Sequence, residues 1–384
     1  MTVQRKMVPS DPFRQYQDDS GPERIFSFYD PPSQMRAVIV IDTTAFGLSA
    51  GGVRMLPDLS LPEMVRLARA MTYKYLMLEF RCGGAKAGVW YDPAHQDRPA
   101  VVAAFLAALR PLYEKRIYLP GADMGTSDED FEPLRENRST YSGLRARSFE
   151  GLPLEDQLTG FGVVESVKVA AEFFAIPVTG ARVAIEGFGK VGGGAARFCV
   201  RAGAQVVAVS TLAGTRYDPR GLDIEQLFTL RGQHGDTAVR HYRGGRLLSR
   251  SALFLLPVDI LIPGARPDVI NANNIEKIQA RLVVPGANIP FTRAMANRLS
   301  ERGIGVVPDF VSNGGGVLAA LADIEGLDVE SSFRSVRERI AANTALVLHH
   351  SRAHNCPPFE AALEILHERW QHTAPAGRLF PAAP

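Results

Sequence analysis

Two lysines twelve residues apart, Lys74 and Lys86, and a later carboxylate, Asp123, are the side chains of this sequence best suited to acid–base chemistry. The chain carries 43 lysines and arginines, and only seven are lysines, so arginine is its ordinary source of positive charge. A lysine differs in that its ammonium can lose a proton when desolvated or crowded by a second cation. Lys74 stands among Tyr73, Tyr75, Leu76 and Met77, near the end of a helix; Lys86 stands among Gly83, Gly84, Ala85, Ala87 and Gly88, which read as a glycine loop. Glycine admits close approach of backbone or ligand, and these flanks favour a site over two surface lysines. If both face one cleft, one lysine can clamp a substrate carboxylate, while the other, its pKa lowered by that neighbour, serves as an acid or base near neutral pH. Asp123, in 121-GADMGTSDED-130, follows a strand and can exchange protons with a nitrogen substrate; the plainer reading is a turn or cap aspartate. Asp128, Glu129 and Asp130 read as a solvated helix start.

A second constellation is Gly187-Phe188-Gly189-Lys190-Val191-Gly192, a GxGxxG that follows an apolar strand and opens a helix within residues 181–210. Alone the motif is weak. Inside a strand–turn–helix–strand unit it marks a dinucleotide site, because the glycines let the backbone approach a pyrophosphate lying at the helix N-terminus. The acidic residue that usually meets the adenosine ribose is missing, since the second strand ends in Ser210-Thr211, with Arg216 a little downstream. Without that carboxylate a 2′-phosphate is not repelled, and Arg216 or Lys190 can attract it, which leaves NAD and NADP both open.

Positioning these groups requires two domains. The length of 384 residues exceeds one ordinary core. Residues 35–42 form a short apolar strand, and a helix starts after 60-SLPE-63, where Ser60 and Glu63 make a capping box around Pro62. Its apolar positions Met64, Leu67, Ala68, Met71, Tyr75 and Leu78 recur at three and four, so one face is buried. A helix over 99–114 leads to a strand near 117 and the Asp123 loop; residues 144–158 read as irregular, and a helix runs through 159–174. Strands near 181, 205, 258, 282 and 304 alternate with helical stretches, which implies an α/β fold with a doubly wound parallel sheet. The layout is a substrate-binding and oligomerisation domain over 1–150, a Rossmann-like nucleotide domain over 151–330, and helices over 331–384 that can pack back on the first; the tail from 374 reads as loose.

Other classes lack support. The net charge of +2, without a basic block, gives no footprint for nucleic acid, and no 18-residue apolar run suggests a membrane span. Three scattered cysteines, Cys82, Cys199 and Cys356, suit free thiols in a reducing compartment, and the N-terminus has no apolar leader, so a cytoplasmic protein is expected. No metal is expected, since His349-His350 lacks HExxH spacing; no GxSxG occurs, and Cys82 has no evident histidine partner.

In this order, 51-GGVRM-55, 71-MTYK-74, 83-GGAKAG-88, 121-GADMGTSDED-130, 159-TGFGV-163, 187-GFGKVG-192, 286-GANIP-290 and 308-PDFVSNGGGV-317 make the chain resemble the glutamate/leucine/phenylalanine/valine dehydrogenases. The resemblance implies reversible NAD- or NADP-dependent oxidative deamination of an L-α-amino acid to a 2-oxo acid and ammonia, by a homo-oligomer. It implies that Lys74 grips the α-carboxylate, Lys86 activates water, and Asp123 shuttles protons to and from the amino nitrogen. Gly52 would border the substrate; Asn288 and Asn313 would place nicotinamide or substrate, and Thr159 belongs with the cofactor residues. Glutamate-specific members carry a lysine at the position of Ala50 and a serine at that of Ala320, both for the γ-carboxylate. A carboxylate buried against two methyl groups would cost several kcal/mol, so an apolar or aromatic substrate, as in the leucine, valine and phenylalanine branch, is expected. Alternatives are a glutamate dehydrogenase-like enzyme, a biosynthetic specialist on an unusual 2-oxo acid, or a catalytically silent nucleotide-binding paralogue.

Overall fold

The computed structural model describes residues 14–16, 21–135, 147–149 and 151–375. The chain divides into two compact units, one of Met1–Leu76, Phe80–Asn137 and Trp370–Pro384, the other of Met77–Glu79 and Arg138–Arg369.

The first unit is built on a five-stranded sheet in the order β1-β2-β4-β3-β5, with β1 Arg24–Asp30, β2 Met35–Ile41, β3 Ser49–Met55, β4 Gly83–Val89 and β5 Tyr118–Ala122. β2 runs antiparallel to β1 and β4, whereas β3 is parallel to β4 and β5. Successive side chains of a strand point to opposite faces. On β4, Ala85, Ala87 and Val89 join the core formed with Phe105, Leu109 and Tyr118, under helix α2 (Arg98–Glu114). The alternate residues Gly84, Lys86 and Gly88 belong to the opposite face, over which lies helix α1 (Leu61–Met77): a Cβ on Gly84 would overlap the Ala68 carbonyl oxygen, and one on Gly88 would lie 3.0 Å from the Met64 sulfur.

This packing corrects one expectation. Residues 83–89 are a fully buried strand and not a loop, with Lys86 opposite Val40 and Ala87 opposite Val53. Small residues are needed there because helix and sheet backbones meet. Asp42 fixes that contact: its carboxylate accepts from Arg69 Nε at 2.6 Å and Thr72 Oγ1 at 2.5 Å, while Thr72 Oγ1 accepts from the Gly84 amide at 3.0 Å. Helix α1 is thereby pinned in rotation about its axis, and so is the direction in which Lys74 leaves it.

In the second unit a short hairpin of β6 Ser148–Phe149 and β7 Leu152–Pro153 precedes a helix over Leu154–Phe173. That helix begins inside the stretch expected to be irregular; residues 136–146 and 150 of the neighbouring chain lie outside the described residues. The main sheet has the order β11-β10-β9-β8-β12-β13-β14, where β8 is Arg182–Glu186, β9 Gln205–Thr211, β10 Gly214–Tyr217, β11 Arg246–Leu248, β12 Ile260–Pro263, β13 Leu282–Val283 and β14 Gly305–Val306. Strands β9, β8, β12, β13 and β14 are parallel, as the alternation of strands and helices implies, and β10 and β11 add an antiparallel edge. The strand order reverses at β8, whose neighbours are β9 and β12, the switch point at which such sheets form a ligand crevice. The late helix Val329–His354 belongs to this unit, and from Trp370 the chain belongs to the first; the tail from 376 lies outside the described residues.

Candidate functional site

In the first unit, Lys86 Nζ lies 2.5 Å from Asp123 Oδ2. The lysine comes from the middle of β4, the aspartate from the turn just past β5. That turn is strapped to β3: the Asp123 amide donates to Thr126 Oγ1 at 3.0 Å, Thr126 Oγ1 donates to the Val53 carbonyl at 2.7 Å, and the Met55 amide donates to the Met124 carbonyl at 2.8 Å. Gly52 borders the pair, since a Cβ there would stand 2.8 Å from Asp123 Cβ and 3.1 Å from Lys86 Nζ. Any side chain at 52 would enter the space beside the two reactive groups.

Arg54, one turn of the pleat along β3, completes the cluster. Its Nε donates to the same Asp123 Oδ2 at 3.3 Å, and its Nη1 donates to Glu63 Oε1 at 2.6 Å. Lys86 is 2% and Arg54 3% exposed. Burial is the largest influence on Lys86 and lowers its pKa; Asp123 opposes this, and the Arg54 cation lowers it further. Burial pushes Asp123 upward, but Lys86 and Arg54 together outweigh it and hold the carboxyl well below the usual carboxylate range. Both directions are consistent because two cations share one carboxylate, which doubly favours the anion, while burial first and the Arg54 guanidinium second disfavour the protonated lysine. A lysine that releases its proton readily beside a carboxylate that rests ionised suits proton transfer.

Lys74, on α1, is 5% exposed, so the reading of two surface lysines is excluded. The acidic run after Asp123 is not simply solvated: Asp130 Oδ2 pairs with Arg98 Nη2 at 2.5 Å and accepts from the Ser127 amide at 2.8 Å, closing a one-turn helix. Cys82 carries no nucleophilic character, because burial pushes its thiol up to about 12.

In the second unit, β8 ends at Glu186 and the helix Lys190–Arg201 begins immediately after Gly189. Gly187 adopts φ +86°, and a Cβ on it would lie 2.8 Å from the Cβ of Ala265, in the turn after β12. A Cβ on Gly192 would overlap the Gly187 carbonyl oxygen, whereas nothing lies within 4 Å of one on Gly189. Two glycines are thus needed for packing, and the third leaves open space at a helix N-terminus with no side-chain cap, as a pyrophosphate requires. Phe188 contributes backbone only, for its ring is buried against Phe228 at 4.9 Å. Lys190 is exposed and Val191 half-buried. Glu186 holds the crevice from below: its Oε2 accepts from the Ala265 amide at 2.9 Å, and burial raises its pKa.

Asn313 Nδ2 donates to the Ala287 carbonyl and to Asn288 Oδ1, both at 3.0 Å, which brings the two expected asparagines together. Asn313 Oδ1 is buried without a hydrogen-bond partner, the condition in which a carboxamide-bearing ligand is favoured. Next to Asn288, Ile289 adopts φ +45°, strained for a β-branched residue, and is held by its amide donating to Asp309 Oδ2 at 2.8 Å. Thr159 adjoins the glycine run that follows, since a Cβ on Gly316 would lie 3.1 Å from its Oγ1. The glycine cradle and the unpaired Asn313 Oδ1 fit a dinucleotide carrying a carboxamide. Ala320 sits half-buried on the helix Gly315–Glu325, and Ala50 half-buried on β3.

One expected contact is redirected. Arg216 is buried and donates to three backbone carbonyls, those of Val239 at 2.8 Å, Arg240 at 3.2 Å and Gly244 at 3.3 Å. It therefore ties β10 to the following segment, and its guanidinium is already engaged by these carbonyls. Ser210 is buried with its carbonyl accepting from the Gly187 amide at 3.0 Å, and Thr211 Oγ1 donates to the Asp236 carbonyl at 2.5 Å. Arg54, Glu63 and Glu186 escaped sequence reasoning. Glu63 carried a signal, but a misleading one: its amide does donate to Ser60 Oγ at 3.3 Å, while its carboxylate serves Arg54. Among the described residues no cluster of His, Cys, Asp and Glu can hold a metal, and no helix is long and apolar enough to cross a membrane. His350 Nε2 pairs with Glu364 Oε2 at 2.8 Å.

Comparison with known proteins agrees with the two units. Residues 22–140 match the model of the Glu/Leu/Phe/Val dehydrogenase dimerisation domain, and residues 151–365 that of Glutamate/Leucine/Phenylalanine/Valine dehydrogenase. The glutamate dehydrogenase of Thermotoga maritima is 35% identical over 285 residues, covering 71% of this chain and 68% of that protein. The NADP(+)-dependent glutamate dehydrogenase of Pyrobaculum calidifontis is 31% identical over 323 residues, 79% of this chain and 77% of that protein. The NAD-specific glutamate dehydrogenase A of Halobacterium salinarum is 31% identical over 280 residues, 70% of this chain and 63% of that protein. Among solved structures, the hetero-hexameric glutamate dehydrogenase of Thermus thermophilus in its Leu-bound form superposes with a TM-score of 0.79 at 25% identity, covering 92% of this chain and 89% of that one. These curated relatives are named glutamate dehydrogenases, so the expected placement in the leucine, valine and phenylalanine branch is not supported.

Proposed function

Because the chain belongs to the Glu/Leu/Phe/Val dehydrogenase family, we propose that it catalyses the reversible NAD- or NADP-dependent oxidative deamination of an L-α-amino acid, with glutamate as the leading substrate. The observation that carries the chemistry is the Lys86–Asp123 contact of 2.5 Å beside the bare Cα of Gly52. The names of the relatives support glutamate and support either nicotinamide cofactor. A second reading, an apolar or aromatic side chain, is favoured by Ala50 and Ala320, which offer methyl groups where a γ-carboxylate needs polar partners.

In this reading Lys74 fixes the substrate α-carboxylate as a buried point charge. Asp123 takes a proton from the substrate ammonium, because only the neutral amine can release a hydride from Cα. Lys86, in its neutral form, then takes a proton from the water that adds to the resulting imine, and its conjugate acid stabilises the developing oxyanion. The cofactor, when bound, accepts the hydride. Gly187, Gly189 and Gly192 would hold its pyrophosphate, with Lys190 near by, and Asn288 and Asn313 its carboxamide end. Gly52 keeps the space beside the acid–base pair free.

Oligomerisation through the first unit is supported by the family model of residues 22–140, described as a dimerisation domain, and by the edge position of β1, whose Tyr29 is exposed. Light scattering on the purified protein tests it. The activity is tested by NADH and NADPH oxidation with ammonia and a panel of dicarboxylic, branched and aromatic 2-oxo acids. Preference for 2-oxoglutarate supports the glutamate reading, and preference for an apolar acid supports the second. No turnover with any of them, while cofactor still binds, overturns both in favour of a silent paralogue.

A further inference from the structure

Asp123 Oδ2 is shared between two cations, and only one of them can give up its proton. Lys86 Nζ approaches it at 2.5 Å and Arg54 Nε at 3.3 Å, while the far side of the guanidinium is held by Glu63 Oε1 at 2.6 Å. The two anchors of Arg54 lie on different elements, the turn after β5 and the first turn of α1, so its planar fork has one orientation that serves both. We propose that Arg54, anchored by Glu63, is a positioning residue for the proposed deamination, turning the Asp123 carboxylate toward Lys86 and keeping it ionised. The inference rests on that reaction for its purpose, not for its geometry.

The groups around Lys86 define what each variant does. Strand β3 contributes Arg54, the turn after β5 contributes Asp123, helix α1 contributes Glu63 at its start, and β2 sets Val40 opposite Lys86. The phenol of buried Tyr118 donates to the Gly51 carbonyl at 2.9 Å and adds no charge. Arg54 is the cation that disfavours protonated Lys86, and Glu63 the anion that partly cancels it. Removing the two therefore has opposite consequences, which a merely structural role would not produce.

With seven lysines in the chain, 13Cε-lysine labelling gives a spectrum in which Lys86 is assigned by its loss in Lys86→Ala. Its titration is followed in the full-length protein and in three variants. Glu63→Gln is expected to move Lys86 deprotonation to lower pH, and Arg54→Met to higher pH, each by roughly half a unit or more. Arg54→Lys keeps the charge without the fork: Lys86 should titrate near its wild-type value, while kcat falls roughly tenfold or more with little change in KM. Equal titration of Lys86 in wild type and Glu63→Gln overturns the proposal, and so does a shift of the same sign in Glu63→Gln and Arg54→Met. Glu63 is half-buried at a helix start, so its variant keeps the test open if Arg54→Met does not fold. The titrations need no turnover; failure of the 2-oxo-acid panel would count against the proposed function alone.

Discussion

The two halves of the candidate machinery use opposite materials. Around Lys86 the first unit buries two cations, Lys86 and Arg54, with half-buried Asp123 and Glu63 at the margin, and their mutual placement decides where a proton resides. Around Gly187 the second unit presents backbone: two glycines needed for packing, one facing open space, and a helix N-terminus without a side-chain cap. Where a proton must move, titratable groups are set against each other. Where a dinucleotide must only be held, the fold removes side chains and offers amide groups.

That contrast breaks most sharply under substitution. Lys86→Ala should lower kcat by roughly 10²–10⁴-fold, the usual worth of a positioned acid–base group, with cofactor affinity by fluorescence titration unchanged. Gly192→Ala should do the reverse: its Cβ would overlap the Gly187 carbonyl oxygen, so the turn must open, and NAD(P)H binding is lost while Lys86 still titrates as in wild type. If Lys86→Ala weakened cofactor binding as much as turnover, the division of labour between the units would be wrong.

The pH dependence sharpens the same comparison. Lys86 has its pKa lowered by burial and by Arg54, and it must be neutral to act, so kcat/KM for deamination should rise with pH and level off below the ordinary lysine range of about 10.4. Asp123, held below the usual range, is ionised in the free enzyme across this range and adds no second limb to kcat/KM near neutrality. The stability signs follow. A lysine whose folded pKa is depressed binds fewer protons than the unfolded chain, so stability rises with pH between the folded and unfolded values. The depressed Asp123 contributes stability present above about pH 4 and lost as pH falls through its folded value. Denaturant melts as a function of pH check both.

How much of this was legible depended on whether the signal was local. Lys86 stood out because lysine is scarce in this chain, and the Gly187 turn because strand, glycines and helix follow one another within thirty residues. The parallel sheet followed from alternating strands and helices for the same reason. Arg54 and Glu63 were not legible in role, because a capping motif explains Glu63 without reference to β3 and only the fold brings the two within 2.6 Å. The 83–89 segment misled in the opposite way. Glycine and alanine read as a loop in isolation, and only the Ala68 and Thr72 backbone pressing on Gly84 shows why a central strand here must be small. Arg216 misled by composition alone, since a buried arginine that ties loops together looks in sequence like one awaiting a phosphate.

Arg216 gives a smaller effect with a definite sign. Arg216→Met leaves the carbonyls of Val239, Arg240 and Gly244 without this donor, so the protein should lose about 1–3 kcal/mol of stability by denaturant melt. The ratio of NADPH to NADH affinity should stay as in wild type. A selective loss of NADPH binding would return the residue to the cofactor site.

The smallest effect belongs to Cys82, the nearest neighbour of the β4 glycines that could have been mistaken for a nucleophile. Its thiol is pushed up to about 12 by burial, and its Sγ donates to the Gly83 carbonyl at 3.4 Å, so at neutral pH it is almost entirely protonated. Cys356 lies on a less enclosed part of the chain, its thiol raised first by burial and then by Glu364 and Glu360. Iodoacetamide at pH 7 should therefore modify Cys356 before Cys82 in peptide mass maps of the folded protein, and Cys82→Ala should change kcat by less than about twofold, as for a substitution that removes no charged or reacting group. Rapid alkylation of Cys82 with loss of activity would show that its thiol is neither enclosed nor held protonated, against the burial on which the expectation rests.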